Sequence, residues 1–430
     1  MNAVRILSPA NAVRTLSLAL AWAFSVHAQA DYLPDPKAAE AALWASPSVA
    51  QARGDYAAQA LRGQSLQAGR GEWKLDAEIN QRRIQATPAD NFGEWGLALS
   101  RPLRMPARAE ADRALAAALD AHAEASLGEA LHESGRQLLT LWFDWLNLAS
   151  QSSQWQAQRQ LAEQQLTTVN ARIRLGEAPR TERVNAEAAL AQIRLQQQQS
   201  ATRLQQARSR LLAQFPALPL TADSTLPPPT QPGFDGSVEQ YIDAVLEHNH
   251  ELFRARRQAD VLQAEARKLA QHRSVDPTVG VFYRNEMGGD EHIVGLGIGL
   301  TLPGAARNTD QAAAEQLAAT AQDAAIRLEQ RLRVDARADF ETAAAQAANW
   351  QQADQAAQAL NEAARLAARA YELGEGSLDQ VLLNRRLALD GRLTVQQVQL
   401  DALAAEARLK LDAHQLWPLD VAADDAHAHP

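Results

Sequence analysis

Four short segments of the chain alternate between apolar and polar residues. In the first of them, Trp73, Leu75 and Ile79 fall on one side of an extended strand, while Lys74 and Asp76 fall on the other. The four segments lie at about 72–84, 92–101, 277–286 and 291–302. A period of two over about ten residues predicts β-strands that separate an apolar from a polar environment.

The apolar faces of the predicted strands are candidate lipid-facing surfaces. They carry Trp73, Leu75, Trp95, Leu97, Val281, Tyr283, Leu296 and Ile298. In a membrane strand such residues contact lipid, whereas in a soluble sheet they pack against helices. The opposite face of the fourth strand holds Gly295, Gly297 and Gly299, and it is too bare to support a core. This contrast favours membrane strands, and a small soluble sheet stays as the alternative.

Long helical segments follow each pair of predicted strands. Between Ala305 and Trp417 there is no proline and there are only three glycines, so Arg307–Glu372 can form one helix. At 1.5 Å per residue this helix is on the order of 100 Å long, and Arg108–Arg172 can match it. Its alanine-rich composition favours close packing along narrow seams. Helices of this length predict a rod or a tube rather than a compact domain.

Each long helix ends at a glycine-containing turn, and a second helix follows. The turns are Leu175-Gly176-Glu177 and Leu373-Gly374-Glu375. Glycine readily adopts the left-handed backbone conformation that ends many helices. The segments at about 105–213 and 305–417 are therefore predicted to be helical hairpins with these turns as their tips.

The order of helix, strand pair and helical hairpin occurs twice, at an offset of about 200 residues. Ser46-Pro47 in the first half aligns with Asn249-His250 in the second, and the two tip turns also align. Such self-similarity indicates an internal duplication. The predicted organisation is a first repeat at 31–214, a proline-rich linker at 215–236, a second repeat at 237–419 and a flexible tail at 420–430.

The first thirty residues have the pattern of an export signal. Arg5 and Arg14 precede the apolar stretch Leu16–Val26, and the small-residue pattern Ala28-Gln29-Ala30 follows it. Residues 1–30 are therefore predicted to be a signal peptide. No later segment approaches the roughly 18 apolar residues that a membrane helix requires, so any membrane crossing falls to the strands.

Composition and motifs exclude several functions. The formal net charge is −9, which argues against nucleic-acid binding, and the absence of cysteine excludes disulfides and thiolate metal sites. The sequence contains no catalytic or phosphate-binding signature, so we expect neither an enzyme nor a cofactor. His427 and His429 in the tail are weak candidate metal ligands. His248 and His250 are two residues apart and are interpreted as cap and surface residues.

Four membrane strands cannot close a barrel alone, because side-chain-filled barrels already need about eight strands and an open edge in lipid leaves backbone groups unpaired. The chain must then share a barrel with other copies. Two copies would supply eight strands, and three would supply twelve strands with room for a lumen. A barrel joined to a long helical tube would form a conduit.

The sequence resembles the TolC-like outer-membrane efflux protein family over almost all of its mature length. The local marks are 171–177 and 370–376 at the tips. They are followed by Val184, Ala186 and Leu190 in the first repeat and by Val381, Asn384 and Leu387 in the second. The resemblance implies a mainly α fold with a small membrane β part. In it a trimeric α-barrel in the periplasm joins a shared 12-stranded β-barrel in the outer membrane.

The resemblance also implies the partners of the chain. These are two further copies, outer-membrane lipid, an inner-membrane pump that supplies the energy, and a periplasmic adaptor that meets the tips. Just beyond the tips, Thr181, Glu182, Asp379 and Arg385 are candidates for the closed periplasmic aperture, where symmetry-related charges could hold the mouth shut. A solvated helix face is the alternative for these four residues.

The segment Leu300–Asn308 is similar to the strand-to-helix junction of the branch of this family that exports cobalt, zinc and cadmium. The match is partial, because Gly304, Ala305 and Ala306 precede Arg307 where that branch has bulky or acidic residues. On the similarity of this junction, we expect an export duct for heavy-metal cations. A multidrug or type I secretion channel is one alternative, and a soluble periplasmic coiled-coil scaffold is another of a different class.

Overall fold

The protein was described from a computed structural model of the 430-residue chain. The structure describes residues 32–69, 71–85, 90–220, 226–233, 237–271, 277–302, 304–417 and 419. The predicted export signal and the tail with His427 and His429 lie outside these residues, as do the middle of the first strand connection and parts of the linker.

The first half of the chain contains a helix pair, a strand pair and a helical hairpin. The elements are α1 (Pro36–Trp44), α2 (Pro47–Ala68), β1 (Lys74–Ile84), β2 (Asp90–Pro102), α3 (Pro106–Arg174) and α4 (Arg180–Gln214). Pro47 and Pro106 open their helices at the first position, where a missing N–H costs no hydrogen bond. Asp35 caps α1 by accepting the N–H groups of Lys37 and Ala38, both at 3.1 Å.

The second half has the same order of elements. They are α5 (Val238–His248), α6 (His250–Gln271), β3 (Pro277–Glu286), β4 (Glu291–Leu300), α7 (Ala306–Glu372) and α8 (Leu378–Asp412). A 3₁₀ turn at Met287–Gly289 joins β3 to β4. The chain is thus mainly helical with a small sheet, which confirms the predicted fold class at that level.

The four strands form one antiparallel sheet in the order β1-β2-β3-β4. The strand ends differ slightly from the predicted ones. Trp73 lies just before β1, and Asp90 and Asn91, which precede the predicted second strand at about 92–101, already pair with Ile84 and Arg83 in the ladder. β2 therefore begins two residues earlier than the predicted strand.

The largest hydrophobic core lies where α1, α3, α4 and α8 meet. Its fully buried side chains include Leu43, Trp142, Leu211, Phe215 and Leu403. The indole N–H of Trp142 donates to the carbonyl oxygen of Tyr32 at 2.9 Å. Burial of each large side chain contributes about 1.5 to 3 kcal/mol, so this core ties the chain segment before α1 to the last helix.

Away from this core the long helices pack through small residues. The buried positions of α7 are six alanines together with Leu332 and Tyr371. Alanine lets helix axes approach closely and brings little core volume, as the composition predicted. Among the described residues, no helix has both the length and the apolar character required to span a membrane.

Candidate functional site

The register of the sheet collects the predicted lipid-facing residues on one face. Leu75 is opposite Leu99, Leu97 is opposite Tyr283, and Val281 is opposite Leu296. Trp95 and Ile298 occupy the same face by strand alternation. Trp73, just before β1, continues it at the end of the sheet next to the helices, and its ring lies 5.4 Å from the guanidinium carbon of Arg101.

This apolar face is not covered by the helices. Leu75 is 68% exposed, Ile79 is 88% exposed and Leu296 is 81% exposed. From Trp73 to Ile79 the face extends about 20 Å along the strand at roughly 3.3 Å per residue, close to the height of an outward apolar band in membrane barrels. The Trp95 and Tyr283 rings lie 5.3 Å apart towards its far end.

The opposite face of the sheet is polar and carries ion pairs. Arg82 contacts Glu94 at 2.9 Å and Glu286 at 2.7 Å, and Arg284 contacts Glu78 at 2.9 Å. These pairs link β1 with β2 and β3. The sheet therefore has one apolar face and one face that carries ion pairs.

The glycine-rich stretch of β4 lies on this polar face. A Cβ atom added to Gly295 would stand 2.3 Å from the Phe282 ring, so the ring occupies the space that a side chain would need. Gly297 has open space above it. The glycine face predicted from the sequence therefore accommodates the Phe282 ring at Gly295 and has open space at Gly297.

The first and last strands are the edges of the sheet. They run antiparallel to each other, because the sheet is an antiparallel meander of four strands. β4 of one copy can therefore pair with β1 of the next in the antiparallel sense used throughout the sheet.

Both hairpin tips end in the same backbone motif. Gly176 and Gly374 have φ of +77° and +80°. The Glu177 N–H donates to the carbonyl oxygen of Arg172 at 2.9 Å, and the Glu375 N–H donates to that of Ala370 at 2.9 Å. This is the Schellman arrangement, in which a left-handed glycine lets the backbone close the helix end.

The tips expose apolar side chains to solvent. Leu175 and Leu373, each next to its glycine, are 72% and 57% exposed. Glu177 and Glu375 are also exposed. All six tip residues predicted to contact an adaptor therefore lie at one end of the helical hairpins, where no other element covers these two leucines.

A tyrosine links the two hairpins just above the tips. The Tyr371 hydroxyl on α7 donates to the Glu182 carboxylate on α4 at 2.6 Å, and the Arg172 guanidinium carbon lies 4.4 Å from the Tyr371 ring centre. Burial and the hydrogen bond to Glu182 raise the pKa of Tyr371 to about 12. The phenol is therefore neutral at physiological pH and acts as a donor.

The other aperture candidates make separate contacts. Asp379 accepts a hydrogen bond from Asn185 at 3.0 Å, and Arg385 donates to Gln165 at 3.0 Å. Thr181 is exposed at the start of α4. Glu182, Asp379 and Arg385 thus each bridge the two hairpins, and Arg385 does so by reaching a buried glutamine on α3. Burial lowers the pKa of the Arg385 guanidinium, and Glu372 partly offsets this.

The sequence did not predict the role of Tyr371. A signal was present, since the equivalent position of the first repeat is Ile173 and only the second repeat has a hydroxyl there. Departures from the repeat at tip positions therefore mark candidate functional residues. Among the described residues, no group of three or more histidine, aspartate or glutamate side chains is arranged to hold a metal ion.

The fold is shared with solved outer-membrane channels. It is similar to the outer-membrane channel OprN, with a TM-score of 0.70 at 14% sequence identity, covering 88% of this chain and 89% of OprN. For the CmeC outer-membrane channel of Campylobacter jejuni the TM-score is 0.69 at 13% identity, over 91% and 89% of the two chains. For the open state of the MtrE outer-membrane channel of Neisseria gonorrhoeae it is 0.58 at 17% identity, over 89% and 90%.

The sequence matches no protein-family model and no curated protein. At 13 to 17% identity the similarity to these structures concerns the fold. The chain therefore has the fold of outer-membrane channel proteins over nearly its whole described length. Its resemblance to TolC-like channels is supported at that level, and these neighbours do not single out the heavy-metal branch.

Proposed function

We propose that the chain is the outer-membrane channel subunit of a tripartite efflux system and acts as a passive export duct. The observation that carries this proposal is the exposed apolar face of a sheet whose other face is charged. The sheet is continuous with helices of 69 and 67 residues, about 100 Å long at 1.5 Å per residue. A membrane wall joined to such helices forms a path from the periplasm to the outside.

Three copies sharing one barrel account for the open edges of the sheet. Four strands from each of three chains make twelve, enough to surround a lumen, and the antiparallel edges allow closure. The same symmetry would gather three pairs of long helices into a periplasmic tunnel. The outer membrane, with the helices in the periplasm, is the location that this arrangement requires.

The exposed apolar face argues against the soluble scaffold. A soluble sheet would have to cover Leu75, Ile79 and Leu296, yet these side chains are largely exposed. Monomeric soluble proteins rarely leave so large a contiguous apolar surface bare. A lipid environment removes this conflict.

The tips are the proposed contact with a periplasmic adaptor. Leu175, Gly176 and Glu177 in one hairpin, and Leu373, Gly374 and Glu375 in the other, present an apolar residue, backbone groups and an acid at the same end. Thr181, Glu182, Asp379 and Arg385, close behind, are the proposed aperture. An inner-membrane pump would supply the energy, because transport through a duct needs only opening and closing here.

Heavy-metal cations are the proposed cargo, on the strength of the junction Leu300–Asn308 alone. In the structure the Arg307 N–H donates to the Gly304 carbonyl at 3.2 Å and the Asn308 N–H donates to that of Ala305 at 3.1 Å, so this segment starts α7. Drugs or secreted proteins remain the alternative cargo, because a helix start does not itself select a solute.

Growth of a deletion strain tests the proposed function and its cargo together. We expect lower tolerance to cobalt, zinc and cadmium, restored by the native gene, with unchanged tolerance to detergents and antibiotics. Loss of tolerance to drugs alone would support the efflux role and assign the multidrug alternative. A strain with unchanged tolerance to every metal and drug tested would contradict an efflux role under those conditions.

A further inference from the structure

Four histidines from three distant parts of the chain meet in the helical body. His132 is on α3, His248 and His250 flank the junction of α5 and α6, and His414 follows α8. The ring centre of His414 lies 5.6, 5.2 and 5.0 Å from those of His132, His248 and His250. The His132 and His250 ring centres are 6.0 Å apart. The surface role expected for His248 and His250 was therefore wrong.

The structure of the α5–α6 junction explains why the surface position predicted for His248 and His250 was wrong. Asn249 is the residue that caps α6, accepting the Leu252 N–H at 2.7 Å, and it is buried. With the cap turned inward, the two neighbouring histidines are drawn against α3 and the end of α8. His250 lies so close to Gly128 on α3 that a Cβ atom there would be 2.6 Å from its Nδ1 atom.

His414 occupies an unusual backbone position. It has φ of +55°, and it closes α8 with a Schellman motif in which its N–H donates to the carbonyl oxygen of Leu411 at 3.0 Å. Glycine normally takes this position, as Gly176 and Gly374 do at the tips. A left-handed histidine is held there against a backbone preference, and its ring contacts the other three.

The surroundings of the cluster contain charged groups of both signs. Asp412, 5% exposed, is engaged by the Arg136 Nε atom at 2.9 Å, while His132 Nε2 lies 3.4 Å from the same carboxylate oxygen. Burial, with Arg136 and the neighbouring histidines, lowers the pKa of His132 to about 3. The other charged or titratable groups around these elements are Glu129, Glu133, Tyr241, Glu251, Arg254, Asp339 and Arg408.

We propose that His132, His248, His250 and His414 form an acid-sensitive latch that holds the end of α8 and the α5–α6 junction against α3. A ring that becomes protonated places a positive charge about 5 to 6 Å from the neighbouring rings and near Arg136, and like charges at that distance repel one another. Acidification below about pH 6 therefore loosens these three segments locally. This inference concerns the helical body and does not depend on the proposed export function.

The internal duplication supplies a natural comparison. The equivalent junction of the first repeat has Ala45, Ser46 and Pro47, and the Ser134 hydroxyl on α3 donates to the Ser46 hydroxyl at 3.1 Å. The α1–α2 junction thus also contacts α3, and none of its residues 45–47 has a titratable side chain. Its packing should not respond to protonation in the same pH range.

The direction of the effect follows from His132. Its pKa is lower in the folded protein than the ordinary value of 6.5, so its neutral ring contributes stability above that value. The contribution is lost as the pH falls towards about 3. Glu129 acts in the opposite sense, because burial raises the pKa of its carboxyl to about 7. Its contribution is present below its ordinary value of 4.5 and is lost as the pH rises through about 7.

Hydrogen exchange of the full-length protein in detergent, at about pH 7.5 and pH 5.5, tests the latch. Labelling times are scaled to the intrinsic exchange rate at each pH. In Glu129→Gln, which lacks the opposing titration of Glu129, we expect segments 246–253 and 409–417 to open roughly tenfold more often at the lower pH, the effect of one pKa unit at a single imidazole. The α1–α2 junction at 43–50 should show no change. Equal protection of 246–253 and 409–417 at both pH values in Glu129→Gln would overturn the latch.

Two variants separate the histidines from Glu129. His414→Asn keeps a residue that tolerates the left-handed conformation but cannot gain charge, so the acid response should shrink. Glu129→Gln removes the opposing titration, so the response should grow. A full native response in His414→Asn combined with His250→Gln, or a reduced one in Glu129→Gln, would contradict the proposal. If that double variant fails to fold, His248→Ala, which copies Ala45, provides the same comparison.

Discussion

Single residues at the tips carry the proposed adaptor contact and aperture. The sequence identified Gly176 and Gly374 because glycine at a helix end predicts a left-handed turn, and both have that conformation. It could not identify Tyr371, whose partner Glu182 is 189 residues away along the chain. Pairings of this kind depend on how two hairpins pack, and no local pattern encodes them.

Replacing Gly374 by leucine tests the tip at the residue scale. A leucine at φ of +80° is disfavoured by roughly 1 to 2 kcal/mol, so the turn should distort without any steric clash, since open space surrounds this glycine. We expect export and co-purification with the adaptor to fall. Gly54→Leu is the matched control, because Gly54 has open space in a helix and no left-handed φ. If export and co-purification both survived Gly374→Leu, the tip contact would be wrong.

Tyr371→Phe tests the link between the hairpins. The change removes one hydrogen bond to a carboxylate, which contributes about 1.5 to 3 kcal/mol, while the ring still packs against Arg172. Because the bond ties α7 to α4, we expect more frequent openings in single-channel recordings. Glu182→Gln, which keeps an acceptor, should have a smaller effect. Identical opening frequency in the native protein and Tyr371→Phe would exclude a gating role for this bond.

At the scale of elements, the sheet was more predictable than its connections. A period of two identified the strands and their apolar faces, because side-chain alternation is a local property. The pairing of β2 with β3, which joins the two repeats, is a long-range contact and could not be deduced from alternation. The α5–α6 junction was misinterpreted for the same reason, since only packing places His248 and His250 beside His414.

Neighbouring positions of β4 distinguish the two faces of the sheet. Leu296 lies on the apolar face and Gly297 on the other, where it has open space. Arginine at a lipid-facing position costs about 2 to 4 kcal/mol near the membrane midplane. We expect Leu296→Arg to reduce the amount of assembled protein in the outer membrane, and Gly297→Arg to be tolerated. Equal assembly of both variants would contradict a lipid-facing role for Leu296.

At the scale of the whole molecule, the duplicated chain gives four strands and two long hairpins that are incomplete by themselves. The sheet has two open edges and an exposed apolar face, and both features are costly unless other copies and lipid cover them. The sequence predicted this incompleteness, since four strands are too few for a barrel. The number of copies depends on how the sheet edges and helices of neighbouring chains fit together. The number of strands in one chain allows either two or three copies.

Gel mobility of the membrane-fractionated protein, with and without boiling, tests the shared barrel most directly. We predict that the mature chain is in the outer-membrane fraction and migrates as a detergent-stable species of three copies. Boiling should convert this species to the monomer, because a closed ladder of backbone hydrogen bonds resists detergent until it is heated. A soluble monomer or dimer in the periplasmic fraction would contradict the duct and leave a coiled-coil scaffold.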